Sequence, residues 1–174
     1  MDEELFKQSV VPALKRAAAV LQDIQQRRGG TRVIAYIECD NPLYLQQAYA
    51  FHRVVRRLPP GSEVDLLLES LGGSIDAACT VTSICKSRFQ RVAVLVPFMA
   101  KSAATLIALM ADELVMAGSA QLGPVDPLIR HPATDMWIAA HSIRDALDFV
   151  ESAKDPYVKL TLADKLDPLL IGAF

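Results

Sequence analysis

The chain has 174 residues, 52% of them hydrophobic and 22% charged, and a net charge of −2. That length suits one domain with a proper core, and so apolar a composition excludes a disordered chain. The near-neutral charge, with no basic stripe interleaved with aromatics, speaks against a nucleic-acid partner; Arg53, Arg56 and Arg57 cluster on the polar side of a helical pattern and read as a solvated face.

Residues 5–28 carry Leu14, Ala17, Leu21 and Ile24 at helical spacing among Lys, Gln and Arg, and Gly29-Gly30 closes that helix. Residues 31–37 are β-branched and apolar, the pattern of a buried strand. Pro42 marks a loop, and residues 43–58 are helical again until Pro59-Pro60-Gly61 stops them. The alternation then repeats: a strand at 64–68, a tight turn at Leu71-Gly72-Gly73-Ser74, and a helix at 75–86. A strand at 92–96, a loop at 97–101, a short apolar helix at 103–110 and a strand at 114–116 follow. Strands alternating with helices predict parallel pairing in an α/β domain, and their nearly continuous apolar character predicts cover on both faces. From Gly118 to Pro127 turn residues dominate; Ser142 then opens a further helix, with Asp145 three residues on as a weaker capping box. The expected organisation is a helical segment at 1–30 ahead of a single domain at 31–174. The apolar end, Leu169 to Phe174, implies a longer natural chain or a buried terminus.

The acidic start, Met1-Asp2-Glu3-Glu4, lacks the basic and apolar regions of a signal peptide. The longest apolar stretch, 103–118, is interrupted by Asp112 and Glu113 and is too short and polar to span a bilayer. Cys39, Cys79 and Cys85 are odd in number and show no CxxC spacing, so they suggest neither a zinc site nor a disulfide framework. A reducing, cytoplasmic setting is expected.

Two loops can carry chemistry, and both follow a strand and precede a helix, where ligands gather in open α/β sheets. In Ser70-Leu71-Gly72-Gly73-Ser74 the paired glycines allow a sharp turn that exposes backbone N–H groups able to hold an oxyanion; the plain alternative is a tight turn. In Met99-Ala100-Lys101-Ser102-Ala103-Ala104 a serine stands at the start of an apolar helix; the plain alternative is helix capping. No P-loop, GxGxxG or HExxH is present, so neither a metal nor a cofactor is implied.

Leu71-Gly72-Gly73-Ser74, Ala100-Lys101-Ser102-Ala103-Ala104-Thr105, Ala111-Asp112-Glu113-Leu114-Val115-Met116 and Leu122-Gly123-Pro124-Val125-Asp126-Pro127 together resemble the serine dehydrogenase proteinase family, relatives of ClpP and the signal peptide peptidase SppA. The similarity covers residues 31–167, and its most specific part is 100–127. The resemblance implies a ClpP/crotonase-type α/β fold of stacked ββα units with a mostly parallel sheet. It also implies a serine peptidase acting on peptide or protein substrates and assembled as a homo-oligomer. Matched by position, Ser102 is the nucleophile and the Gly73 and Ala103 amides are the oxyanion donors, with Gly72 in support.

The general base is less direct. ClpP has a histidine where this chain has Gly123-Pro124-Val125-Asp126, and His52, His131 and His141 lie elsewhere. SppA-like relatives use a lysine well downstream of the serine; Lys154 fits by spacing, with Lys159 and Lys165 as fallbacks. Lys101 adjoins Ser102 and is expected to act structurally or electrostatically, because neighbouring residues point in different directions. Asp126 orients a base or caps a turn, and Trp137 is expected in the core or an interface. The reading is peptide hydrolysis by a Ser102–Lys154 pair. Its rivals are a crotonase-type acyl-CoA enzyme, a non-catalytic scaffold of the same fold, and a module that adds an extended peptide beside the diglycine loop.

Overall fold

The computed structural model describes residues 10–125, 128–130, 137–152 and 154–156. The chain divides by its contacts into two units, 1–125 and 126–174. In the first unit, helix α1 (Val11–Arg27) begins with Pro12 in its first turn, where a missing N–H costs nothing. The expected helix is therefore found from residue 11; its portion at residues 5–9 lies outside the described residues. None of the α1 residues is buried.

The chain then alternates as its pattern predicts. Strand β1 (Arg32–Glu38) leads to helix α2 (Leu45–Val55), and β2 (Glu63–Ser70) to α3 (Ile75–Arg88). Then come β3 (Arg91–Val96), β4 (Met99–Ala100), helix α4 (Ala103–Leu109), β5 (Glu113–Met116) and β6 (Gln121–Leu122). The six strands form one sheet in which every pairing is parallel. Parallel neighbours need a crossover between them, and the helices supply it.

Strand β2 is the hub. All seven residues of β1 pair with it, from Arg32 opposite Val64 to Glu38 opposite Ser70. On its other side β3 pairs with Glu63 to Leu67, and at its far end Ser70 pairs instead with Ala100 of β4. The sheet forks there, between the end of β3 and the start of β4. Strand β4 lies within residues 97–101, which the sequence pattern assigns to a loop. Two residues are too short a run to show a period, so only the tertiary pairing reveals the strand.

The core lies where α2, α3 and α4 pack on Leu66, Leu68, Val92, Val94 and Val96, with Leu43, Val55, Val81 and Ile107 fully buried. Each such side chain contributes about 1.5–3 kcal/mol. Strand β5 departs from the expected double cover: Leu114, Val115 and Met116 are exposed. As the last strand in the order β5-β3-β2-β4-β6 it has one neighbour among the described residues, and apolar composition alone does not distinguish an edge strand from a central one.

At the start of the sheet, a fully buried Asp65 on β2 receives two bonds from Arg28, Nε to Oδ2 at 2.8 Å and Nη2 to Oδ1 at 3.3 Å. Arg28 also donates to Glu113 at 3.2 and 2.9 Å, and Arg91 reaches the same carboxylate. These partners hold the Glu113 carboxyl below its ordinary range, through hydrogen bonds first from Arg28 and then from Arg91, and they raise Arg28 further.

In the second unit, β7 (Leu128–Arg130) pairs antiparallel with β8 (Trp137–Ala139), which runs into helix α5 (Ala140–Ser152). The helix starts two residues before Ser142, so the expected capping box is not its beginning. His141 instead lies 3.8 Å from Asp145, one turn along.

Candidate active site

The fork in the sheet brings the two chemistry-bearing loops together. Lys101 N donates to the Ser70 carbonyl at 3.0 Å, which locks the loop after β4 against the end of β2. Gly72 N donates to Ser70 Oγ at 3.1 Å and sets the start of the turn. Gly72 has φ +87°, and a Cβ there would lie 2.8 Å from Ser102 Cβ and 3.0 Å from Ala103 N. The bare backbone of Gly72 therefore packs directly on the Lys101-Ser102-Ala103 segment. Gly73 has φ +151°, and its Cβ would sit 2.5 Å from Leu43 N and 2.6 Å from Leu43 O. Leu43 N donates to Gly72 O and Ser74 N to Leu43 O, both at 2.8 Å, so the segment after β1 clamps the turn from outside. Glycine is required at both positions by conformation and by space.

Ser102 precedes α4, at the N-cap position, yet its side chain makes no cap bond to the helix. Its φ of 49° and ψ of −126° make it the one non-glycine residue with positive φ among the described residues. These angles suit the first central position of a type II′ turn, which glycine normally fills, and the Ala104 N–H to Lys101 carbonyl bond at 2.9 Å closes that turn. Such a backbone costs about 1–3 kcal/mol. Plain capping is thereby excluded, since Ser74 shows the ordinary form: φ −66°, with its hydroxyl accepting from Ala77 N at 3.4 Å. The Ala103 amide opens a helix, so it lacks an intrahelical acceptor, and among the described residues none accepts from it or from the Gly73 amide.

Three polar side chains to which the sequence reading gave no role of their own hold this arrangement. Glu69, buried, accepts from Phe98 N and Met99 N at 3.0 Å each, which turns the chain from β3 into β4. Thr105, buried on α4, donates to the Ala100 carbonyl at 2.7 Å and accepts from Gly123 N at 3.2 Å. Ser70 is the third, also buried. A carboxylate at the end of an apolar strand and a hydroxyl inside an apolar helix are the signals that point to Glu69 and Thr105, since buried polar groups need partners.

Lys101 is engaged with the segment at β6. Its Nζ donates to Gln121 Oε1 at 2.8 Å, and its stem packs on Gly123. Lys154 lies in the second unit, just after α5, and is exposed. His52 is exposed on α2 and His141 lies on α5. Asp126, His131, Lys159 and Lys165 lie outside the described residues, as does the side chain of Trp137. Among the described residues no cluster of His, Cys, Asp and Glu could hold a metal ion. No described helix is long and apolar enough to cross a membrane.

Comparison with known proteins places this arrangement. Residues 7–154 match the ClpP-like SDH-type serine proteinase family. Two uncharacterized proteins of Methanocaldococcus jannaschii are similar: one is 32% identical over 128 residues, 67% of this chain and 44% of its own, and another is 31% identical over 140 residues, 74% and 47%. The chain thus spans a little under half the length of these relatives. Among solved structures, a lysine-to-alanine mutant of the 1510-N membrane-bound stomatin-specific protease with a substrate peptide gives a TM-score of 0.51 at 22% identity, covering 68% of this chain and 55% of that one. An asparagine-to-aspartate mutant of ClpP1 from Listeria monocytogenes gives 0.47 at 17% identity, covering 83% and 84%. The family match and the likeness to the stomatin-specific protease give a fold of the ClpP type, with a mostly parallel sheet. With its family signature running from residue 7 to residue 154, the chain belongs to the ClpP-like SDH-type serine proteinases.

Proposed function

We propose that the chain hydrolyses peptide bonds with Ser102 as nucleophile, the Gly73 and Ala103 amides as oxyanion donors, and Lys154 as general base. The observation that carries the reading is the backbone of Ser102. A serine held in a glycine-like conformation, without a cap bond and packed against a diglycine turn, costs stability and serves no structural need. A reactive hydroxyl, half-buried on a strained strand-to-helix turn, is the use that fits.

On this reading Ser102 Oγ attacks the scissile carbonyl carbon while its proton passes to Lys154 Nζ. The oxyanion that forms is held by the two amides, and a single such donor typically lowers the barrier by about 2.7–4 kcal/mol. The C–N bond breaks as Lys154 returns the proton to the leaving amine; water then attacks the acyl carbon, giving its proton to Lys154, which passes it to Ser102 Oγ as the acyl–oxygen bond breaks. Gly72 supports the donors by its close approach, and Lys101 positions the loop through Gln121. Asp126 would orient the base. Residues 31–174 act as one catalytic domain behind the N-terminal helix, and the protein works as a cytoplasmic homo-oligomer on peptide or protein substrates, with no metal or cofactor of its own.

A fluorophosphonate probe and a fluorogenic peptide test the assignment. Wild type labels and turns over; Ser102→Ala loses labelling and slows hydrolysis by at least about 10³-fold. Lys154→Ala slows hydrolysis by about 10²–10⁴-fold. Labelling that survives Ser102→Ala overturns the nucleophile, and full activity in Lys154→Ala moves the base to Lys159 or Lys165.

A further inference from the structure

Among the described residues, strand β1 pairs with β2 on one side only. Its register is continuous over all seven residues, without a bulge or a proline, and its charges stand only at the ends, Arg32 and Glu38. Proteins normally blunt such an edge with charges, bulges or proline, because its outward N–H and C=O groups template another strand.

A cleft of about 230 Å³ runs along this edge. It is lined by residues 34–38 of β1 and by Gln47, Ala50, Phe51 and Val54 of α2. Side chains alternate between the two faces of a strand, so a cleft that touches five consecutive residues follows the strand's edge, not one face. Its walls are apolar and open to solvent: Ile37 is 60% exposed and Val54 is 54% exposed. Tyr36 lines the same cleft, is 92% buried, and its phenolic oxygen is buried with no hydrogen-bond partner. Its ring is fixed edge-on to Phe51 at 5.9 Å. Burial, with Glu38 nearby, pushes the phenol up to about 12, so it stays a donor at neutral pH.

The ends of the cleft differ in charge. Arg32 shares the α2-facing side of β1 with Ile34 and Tyr36 by alternation, and Arg57 continues the helical stripe of Gln47, Ala50 and Val54 just past the end of α2. Both are exposed. A helix that joins two parallel strands runs against them, so Arg57 lies toward the Arg32 end of β1, while Glu38 marks the opposite end.

We infer that this cleft binds an extended, apolar polypeptide segment that adds to β1 as a further strand, with an acidic residue or carboxylate at the Arg32–Arg57 end. Backbone hydrogen bonds to the free edge supply affinity, and the apolar walls select alternate side chains. A carbonyl of the bound segment is the partner that the Tyr36 hydroxyl lacks, reached as the cleft opens around it. The site is separate from Ser102 and does not depend on the peptidase reading.

The test uses the full chain carrying Ser102→Ala and a fluorescein-labelled peptide of about eight residues, alternating valine and threonine and ending in aspartate. Anisotropy should show saturable binding, weakened about tenfold or more by Val54→Glu, which would bury a charge against the peptide. Arg57→Glu, or amidation of the peptide's carboxylates, should weaken binding and flatten its dependence on salt. With the protein unchanged, N-methylation at alternate peptide residues should weaken binding in one phase of the alternation and not in the other, since only one phase faces β1. Binding that is absent, or indifferent to Val54→Glu and to both methylation phases, overturns the inference. A change of oligomeric mass in Val54→Glu without a change in peptide affinity also overturns it, in favour of a second copy on this edge. Hydrolysis of a small ester by Val54→Glu in the Ser102-bearing protein should equal wild type. Loss of ester hydrolysis by wild type itself would instead count against the proposed function and leave the cleft standing.

Discussion

The two ends of β2 are held by different means. At its start, Asp65 is fully buried and held by charge, through the Arg28 fork that also reaches Glu113 on the edge strand. At its far end, the Gly72-Gly73 turn is held by backbone bonds to Leu43 and by the absence of side chains where Ser102 and Leu43 approach. The ion-pair end tolerates small movements, because charges act over distance. The glycine end tolerates none, because a single methyl meets backbone atoms. The difference teaches where this molecule carries its stability and where its conformational strain.

The comparison is broken most severely at Gly72. Gly72→Ala places a Cβ against Ser102 and Ala103 in a backbone conformation unfavourable for alanine. Peptidase activity should fall by about 10²–10³-fold, the scale of one lost oxyanion donor, while urea titration shows a stability loss of about 1–2 kcal/mol. Activity near wild type would show that the turn is only a turn.

Arg28→Ala attacks the other end. It leaves the Asp65 carboxylate buried without its partner, for a destabilisation of about 3–5 kcal/mol by denaturant titration, with ester hydrolysis of the folded fraction unchanged. The sign with pH follows from Glu113, whose carboxyl is held below its ordinary range. That stabilisation is complete above the unfolded value of about 4.3 and is lost as pH falls through the lowered folded value. The gap between wild type and Arg28→Ala should therefore narrow below about pH 4.

Ser102→Gly sharpens the strain argument with a smaller effect of opposite sign. Glycine takes φ +49° freely, so this inactive variant should be more stable than Ser102→Ala by about 1 kcal/mol. Equal stability would mean that the serine backbone is not strained.

The mildest probe is thiol alkylation in the native protein near pH 8, which changes no residue. Burial pushes the Cys85 thiol up to about 12, and desolvation with Glu69, Asp40 and Glu38 nearby raises Cys39, whereas Cys79 is exposed on α3. Burial denies reagent access and a higher thiol pKa leaves less thiolate, so mass spectrometry should find the exposed Cys39 and Cys79 modified well before Cys85. Cys85 reacting first would show that the α3 core is open.

The central strands and the helices between them are legible in the chain because their side chains repeat with the period of the element they form. Val64, Leu66 and Leu68 on β2 and Val92, Val94 and Val96 on β3 are the plainest cases. Strand β4 and the exposure of β5 were not legible, because both depend on which neighbour lies alongside. Around the site, Gly72, Gly73 and Ser102 stood out as motif residues. Glu69 lay in no motif and Thr105 lay in one without a role, because their meaning lies in the amides and carbonyls they meet across the fork, 29 and 18 residues away along the chain.

The amino-acid sequence by itself determined the order of elements, the glycines that permit the turn, and the serine that follows the next strand. Tertiary structure alone decided that the turn and the serine touch, that the serine occupies a glycine-like conformation without capping its helix, and that among the described residues one long strand edge is left open beside Tyr36. The reason is physical: periodicity and propensity act between residues a few positions apart, whereas the packing of Gly72 on Ser102 and the fork at β2 arise only when distant strands compete for the same neighbour.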